Sequence, residues 1–273
     1  MLLVLQGAQP RRKSQGVLIL SLEMSRYQLM SKSISRHTLQ LTLERGEDSR
    51  NAKTSRGITS GKRYANYNST ELQLIKDATS AYSEYAGRIF IHEGVGDIGV
   101  DQIRELVERH ILSTGGSWET DEKTGARRLS GGRRPLLIVD YLQIIAPYND
   151  RATDKQNTDK AVLELKRISR DYKIPVVAIS SFNRMNYNEA VSMEAFKESG
   201  AVEYSSDILI GLQLKGAGKK VGNEKFNPTE AKRKNPREIE LVVLKNRDAA
   251  VGDKISFDYY PMFNYFTDKG LSD

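Results

Sequence analysis

Leu136-Leu137-Ile138-Val139-Asp140-Tyr141 sets four branched apolar residues in a row and ends them on a carboxylate. A strand with water on one face alternates polar and apolar residues. An unbroken apolar run belongs instead to a strand covered on both faces, the habit of parallel sheets. Ligands of open α/β sheets gather outside the carboxyl ends of the strands, so Asp140 is a candidate for holding a metal ion beside a phosphate. The plainer reading is that the turn after a buried strand favours Asp for its own hydrogen bonds.

Outward from this run, Val17-Leu18-Ile19-Leu20, Arg88-Ile89-Phe90-Ile91-His92 and Pro175-Val176-Val177-Ala178-Ile179 read as further strands. Helical patterns separate them. Ser25-x-x-Gln28 is a capping box for a helix to about Ser35, and Ser69-Thr70 opens a second that runs to about Tyr85. Ile103, Leu106, Val107 and Ile111 form one helical stripe, and Ala161, Leu165, Ile168 and Tyr172 form another. Ser206 to Leu212, Glu238 to Leu244 and Asp253 to Tyr260 follow as strands, the last two joined through the turn Ala249-Ala250-Val251-Gly252. Strands alternating with helices predict an α/β fold: a mostly parallel sheet with helices on both faces and an antiparallel hairpin at its C-terminal end.

At 273 residues the chain is expected to form one large domain over residues 1–273. Residues 44–68, 115–134 and 215–237, rich in charge, Gly and Ser, are expected to be flexible loops. With no Cys and three scattered His, a disulfide framework and a thiolate zinc site are excluded, and a reducing cytoplasm is the expected location. No apolar run approaches the ~20 residues of a membrane span, and the net charge of +7 suits a polyanionic partner.

Four strand ends carry polar groups expected to converge on one edge of such a sheet: Glu23, Asp140, Ser181 with Asn183-Arg184, and Lys245 with Arg247. Acids and cations from separate strands are what phosphoryl transfer needs: an anchor for a metal, a base for water, and positive charge on the transition state. Each has a bland alternative. Glu23 could be an acid favoured by the dipole of the helix it precedes, and Lys245 and Arg247 could be surface cations.

Four motifs occur in order: Leu22-Glu23-Met24-Ser25, Leu137 to Gln143, Lys197-Glu198-Ser199-Gly200-Ala201-Val202-Glu203, and Lys245-Asn246-Arg247. In this combination the chain, from about Val17 to Phe266, resembles the C-terminal RecA-type motor domain of replicative hexameric DNA helicases of the DnaB family. The resemblance implies a RecA-like P-loop NTPase fold that uses ATP and Mg2+, works as a homo-oligomeric ring and moves along single-stranded DNA. It implies Glu23 as the carboxylate that polarises the attacking water, and Asp140 as the acid that holds magnesium through its water shell. Lys245 and Arg247 are implied to reach the nucleotide of the neighbouring subunit, and Lys197, Glu198 and Gly200 to touch the DNA backbone.

The chain departs from the family pattern in two places. The phosphate cradle G-x-x-x-x-G-K-[ST] does not occur in the sequence: Gly57-Ile58-Thr59-Ser60-Gly61-Lys62-Arg63 is one residue short, lacks the hydroxyl and follows no buried strand. Matched to the family, Met1 is expected to lie inside the helix that the cradle opens, leaving the motor domain incomplete and its own ATP binding doubtful. Ser181 stands where the family has a Gln that senses the γ-phosphate. Two functions therefore compete. One is a segment of an ATP-driven helicase; the other is a non-catalytic ring subunit, or DNA-binding and assembly module, working with intact helicase partners. A filament-forming RecA relative is disfavoured by the Lys197 loop and Lys245-Asn246-Arg247.

Overall fold

The computed structural model describes residues 2–5, 16–94, 98–181, 189–193, 200–218, 220–221 and 224–271. In chain order its elements begin with strands β1 (Leu2–Leu5) and β2 (Val17–Ser21) and helices α1 (Arg26–Glu44), α2 (Ser55–Thr59), α3 (Gly61–Tyr64) and α4 (Ser69–Ala86). Then come β3 (Ile89–Glu93), α5 (Val100–Ser113), β4 (Gly116–Thr120), β5 (Arg127–Gly131), β6 (Leu136–Asp140), α6 (Asp154–Tyr172) and β7 (Val176–Ile179). The C-terminal part holds α7 (Gly200–Ser205), β8 (Ile208–Leu214), β9 (Lys220–Val221), β10 (Glu224–Lys225), α8 (Pro228–Arg233), β11 (Arg237–Asn246), β12 (Lys254–Tyr260) and β13 (Tyr265–Leu271).

Nine strands form one sheet in the order β13-β12-β11-β8-β1-β7-β6-β2-β3. It is an α/β fold whose sheet has two differently paired halves. From β7 through β6 and β2 to β3 all neighbours are parallel. From β1 onward to β13 all neighbours are antiparallel, so the antiparallel part extends beyond the expected hairpin.

The parallel half is where the apolar runs lie. Leu18, Leu20, Leu137, Val139, Val176 and Ala178 alternate along β2, β6 and β7 and join one buried cluster with Ile103, Val107 and Ile111 of α5 and Ala161, Leu165 and Ile168 of α6. That layer accounts for the two apolar helical stripes in the sequence. Helices α1 and α4 form a separate layer, burying Ile34, Leu39, Leu74, Ile75 and Ala78 outside that cluster. The capping box on α1 forms as expected, with Ser25 Oγ accepting from the Gln28 N–H. The helix continues to Glu44 rather than Ser35, because Thr38, Leu39 and Thr42 are buried on the same face.

Three expected loops are built differently. Within residues 44–68 lie α2, α3 and the short turn Ser49–Asn51, ordered around a buried lysine. Lys53 is 7% exposed; its ammonium pairs with Glu71, and its peptide exchanges hydrogen bonds with Thr38 Oγ1 at 2.9 and 3.1 Å. Residues 115–134 fold into the hairpin β4–β5, and within 215–237 the helix α8 is capped by Asn227. At the other end of the sequence, residues 2–5 are a strand, not part of a helix.

Candidate active site

Leu22 and Glu23 leave β2 directly beside Asp140. Ser21 and Asp140 are register partners on adjacent parallel strands, and the Leu22 N–H donates to the Asp140 carbonyl at 2.9 Å. A tight turn then fixes Glu23. Ser21, buried at the end of β2, donates its hydroxyl to the Met24 carbonyl at 2.6 Å and accepts from the Met24 N–H at 3.3 Å. Ser25 caps α1 immediately afterwards. Glu23 therefore stands exposed between a strand end and a helix start, two places where the backbone is already held. Ser21 is a positioning residue that strand patterning does not single out; the hydroxyl at the end of an apolar run is its only signal.

Asp140 feels its acidic neighbour. It is half-buried, and its carboxyl is pushed above the usual carboxylate range, first by loss of water and then by the charge of Glu23. Lys32 on α1 opposes this from nearby, its ammonium lying 3.3 Å from Met24 Sδ. A carboxyl raised in this way beside a second acid favours a bound cation, and hard oxygen donors suit magnesium. Among the described residues no group of three or more acidic, His or Cys side chains forms an all-protein metal cage. Magnesium beside a nucleotide uses one or two carboxylates plus water and phosphate, and Asp140 fits that role.

Ser181 follows β7 on the same rim. Gln143, in the turn after β6, donates to Ser180 Oγ at 2.7 Å, and its Oε1 lies 3.4 Å from the Ser181 N–H. An amide thus does reach this place, from the neighbouring strand. Gln143 lies in one of the four quoted motifs, but the motif alone gives it no role. Asn183 and Arg184 lie outside the described residues.

Lys245 and Arg247 do not join this group. Asn246 is in register, through Ile208, Val4 and Val177, with Ile138 of β6, and β11 runs opposite to β8. The chain leaving β11 therefore heads away from Asp140, and the expected convergence of all four strand ends on one rim is corrected. Glu23, Asp140 and Ser181 sit together at the rim where β2, β6 and β7 end; the two cations sit at the other. The cause is the antiparallel pairing of β11, which a local apolar pattern does not encode.

At that opposite rim the cations are anchored. Asp207, 5% exposed at the start of β8, receives Arg247 Nη1 at 2.8 Å and pairs with Lys166 of α6. The Arg247 N–H also donates to the Asp207 carbonyl at 2.9 Å. Lys245 Nζ donates to the Glu203 carbonyl at 2.6 Å, and its pKa is lowered by burial and by the charge of Arg247. A bulge between Val243 and Lys245 adjusts the strand just before both cations. Of the candidate DNA-contacting residues, Gly200 opens α7, which packs against α6; Lys197 and Glu198 lie outside the described residues.

Known proteins resemble this chain in sequence and in fold. Residues 99–268 match the profile of the DnaB-like helicase C terminal domain. The replicative DNA helicase DnaC of Bacillus subtilis is 28% identical over 136 residues, 48% of this chain and 27% of that protein. The replicative DNA helicase DnaB of Leifsonia xyli is 26% identical over 136 residues, 49% of this chain and 27% of that protein. The chain thus spans about a quarter of the length of these relatives. In fold, a DnaB-like replicative helicase solved for its interactions with primase superposes with a TM-score of 0.67 at 18% identity, covering 93% of this chain and 51% of that one. A second solved structure, an isolated ATPase domain, gives 0.67 and 18%, covering 93% and 74%. A profile match across most of the chain, a shared fold, and motifs seated at strand ends agree: this chain belongs to the family of DnaB-like helicase C-terminal domains.

Proposed function

We propose that this chain is the motor-domain segment of an ATP-dependent replicative DNA helicase, contributing half of each nucleotide site to a ring that moves along single-stranded DNA. One observation carries the reading: Glu23 and Asp140 share one rim of the sheet, while Arg247, held by Asp207, projects at the opposite rim. A nucleotide lying against the acids of one subunit would meet the arginine of another.

In this reading Asp140 would hold magnesium, which would supply positive charge beside the phosphates. Glu23, fixed by Ser21 and the α1 cap, takes the proton of the attacking water. Arg247 stabilises the charge that develops on the transferred group, a contribution worth ~10³–10⁵ in rate when supplied in trans. Lys245 supports it, and Lys197, Glu198 and Gly200 contact the DNA backbone without reading sequence.

A second reading, the non-catalytic ring subunit, is favoured by the sequence, which contains no G-x-x-x-x-G-K-[ST] cradle to supply backbone N–H donors and a lysine to the phosphates. In this version the chain lends Arg247 to an intact neighbour and binds no nucleotide itself.

The test is subunit complementation. An intact DnaB-family helicase whose own arginine at the position matching Arg247 is replaced by Ala is mixed with this chain, and DNA-stimulated ATP hydrolysis is followed. Restored hydrolysis by the wild-type chain, and none by its Arg247→Ala form, is expected under both readings; equal restoration by the two forms overturns the trans role. Calorimetry of the chain alone with magnesium and ATP then separates the readings. Undetectable binding supports the non-catalytic subunit, and micromolar binding supports the helicase segment.

A further inference from the structure

We infer that the hairpin β4–β5 is a fixed arm that binds single-stranded nucleic acid, through the phosphates by Arg127 and Arg133 and through a base stacked on Trp118. The hairpin lies apart in the chain from the motif loop around Lys197 to Gly200, and the inference does not depend on the chain's hydrolysing ATP.

The arm is rigid. Its strands pair from Gly116↔Gly131 to Thr120↔Arg127, and the turn between them is closed by Asp121, whose carboxylate accepts the N–H groups of Lys123 and Thr124 at 3.0 and 2.9 Å. At the root, Leu129 enters the main core, and the Arg133 N–H donates to Thr114 Oγ1 at 2.8 Å. Gly132 has φ +65°, and a Cβ there would lie 2.4 Å from the Ile111 carbonyl, so the ribbon is pressed against the end of α5. An arm already held in place loses little freedom when it binds.

Beyond that root the ribbon touches almost nothing. Ser117 to Arg128 are all exposed, and among the described residues no other strand pairs with either edge. Folding gains little from such a projection, so its surface chemistry is what remains to account for it. Trp118, the only tryptophan in the chain, is 38% exposed, with the Arg127 guanidinium 5.0 Å from its ring centre. The charges are sorted unequally. Glu119 is paired with Arg128 at 3.4 Å, and Asp121 is consumed by the turn, which holds its carboxyl below the usual range, while Glu122 stays exposed at the tip. Among the described residues no carboxylate pairs with Arg127 or Arg133. An aromatic ring with an unpaired guanidinium over its face is the combination that holds single strands, stacking bases while neutralising phosphates, and Arg133 adds a second unpaired cation at the root. The net charge of +7 favours the same polyanion at longer range.

The single tryptophan makes the test direct. Its fluorescence is followed while oligothymidylate, the matching duplex, or polyglutamate is added to the full chain. Saturable quenching by oligothymidylate is expected, at least about tenfold tighter than any quenching by duplex or polyglutamate. Arg127→Ala with Arg133→Ala should weaken it about tenfold and flatten the dependence of log K on log salt by about 1.4, the loss of two phosphate contacts on a single strand. Both side chains are exposed, so an unchanged melting curve accompanies the variant. Lys62→Ala, which removes an exposed cation on α3 away from the arm, should leave Trp118 quenching intact, which separates contact at the arm from overall charge. No quenching, an unaffected double variant, or equal quenching by polyglutamate would overturn the assignment.

Discussion

Asp140 and Asp207 are both withdrawn from water, and the molecule treats them in opposite ways. Asp207 is met by Arg247 and Lys166, so its charge is compensated where it lies. Asp140 faces another acid, and its carboxyl is raised by burial and by Glu23. A chain selected for stability alone would not keep two carboxylates in each other's field. The difference marks one rim as a place that waits for positive charge and the other as a place that presents it.

The contrast between the rims breaks most visibly at Arg247. In the complementation assay Arg247→Ala should lower hydrolysis by about 10³-fold. The same change should shift stability by less than about 1 kcal/mol, since the side chain is more than half exposed and only its partner is buried. Urea denaturation of the variant checks the second half of that statement.

The two aspartates can then be set directly against each other with the isosteric change. Asp207→Asn removes the acceptor charge for two cations and should cost about 2 kcal/mol, read as a lower urea midpoint. Asp140→Asn should cost nothing and raise the urea midpoint at neutral pH. The pH dependence fixes its sign. A carboxyl whose folded pKa is raised binds its proton more readily folded than unfolded, so its penalty is full at neutral pH and fades as pH falls through the raised value. The advantage of the Asp140→Asn variant over the wild-type chain should shrink in parallel and vanish below the ordinary value near 3.8. An advantage that persists in acid would mean that Asp140 is strained by packing and not by charge.

The smallest effect belongs to His110, a further group lacking compensation. It is 8% exposed, its Nε2 has no hydrogen-bond partner, and burial followed by the charge of Arg133 lowers its pKa. Neutral His110 contributes stability that is complete above pH 6.5 and is lost as pH falls through 6.5 toward the folded value. His110→Leu should flatten the fall in melting temperature as pH drops from about 7 to 5.

How much of this is legible in the sequence depends on how local each signal is. The run ending at Asp140, the capping box at Ser25 and Gln28, and the stripes of α5 and α6 are patterns within one element, and each forms where the residues place it. Glu23 and Asp140 meet because parallel neighbours carry their ends to one rim. The position of Arg247 is not legible, because an apolar run does not state which way its strand runs relative to others. Lys53 sits in a polar stretch that reads as solvated, and only its distant partner Glu71 makes burial tolerable. The hairpin β4–β5 goes unsignalled because its turn, Asp121 to Ala126, lacks the two-residue Asn-Gly or Asp-Gly pattern. Strand β1 depends wholly on pairing with β7 and β8.

The opposed rims have a consequence for symmetry. If Arg247 serves a neighbour's nucleotide, as proposed, copies placed end to end must set the arginine rim of one against the acidic rim of the next. In such an end-to-end arrangement, a head-to-tail contact repeated with the same rotation would bring Arg247 of one copy to Asp140 of the next. Such a contact never satisfies itself: an open row of n copies completes n − 1 sites and leaves a spare set of acids at one end and a spare arginine at the other. Under the proposed trans role, closing such a row would give every copy a complete site.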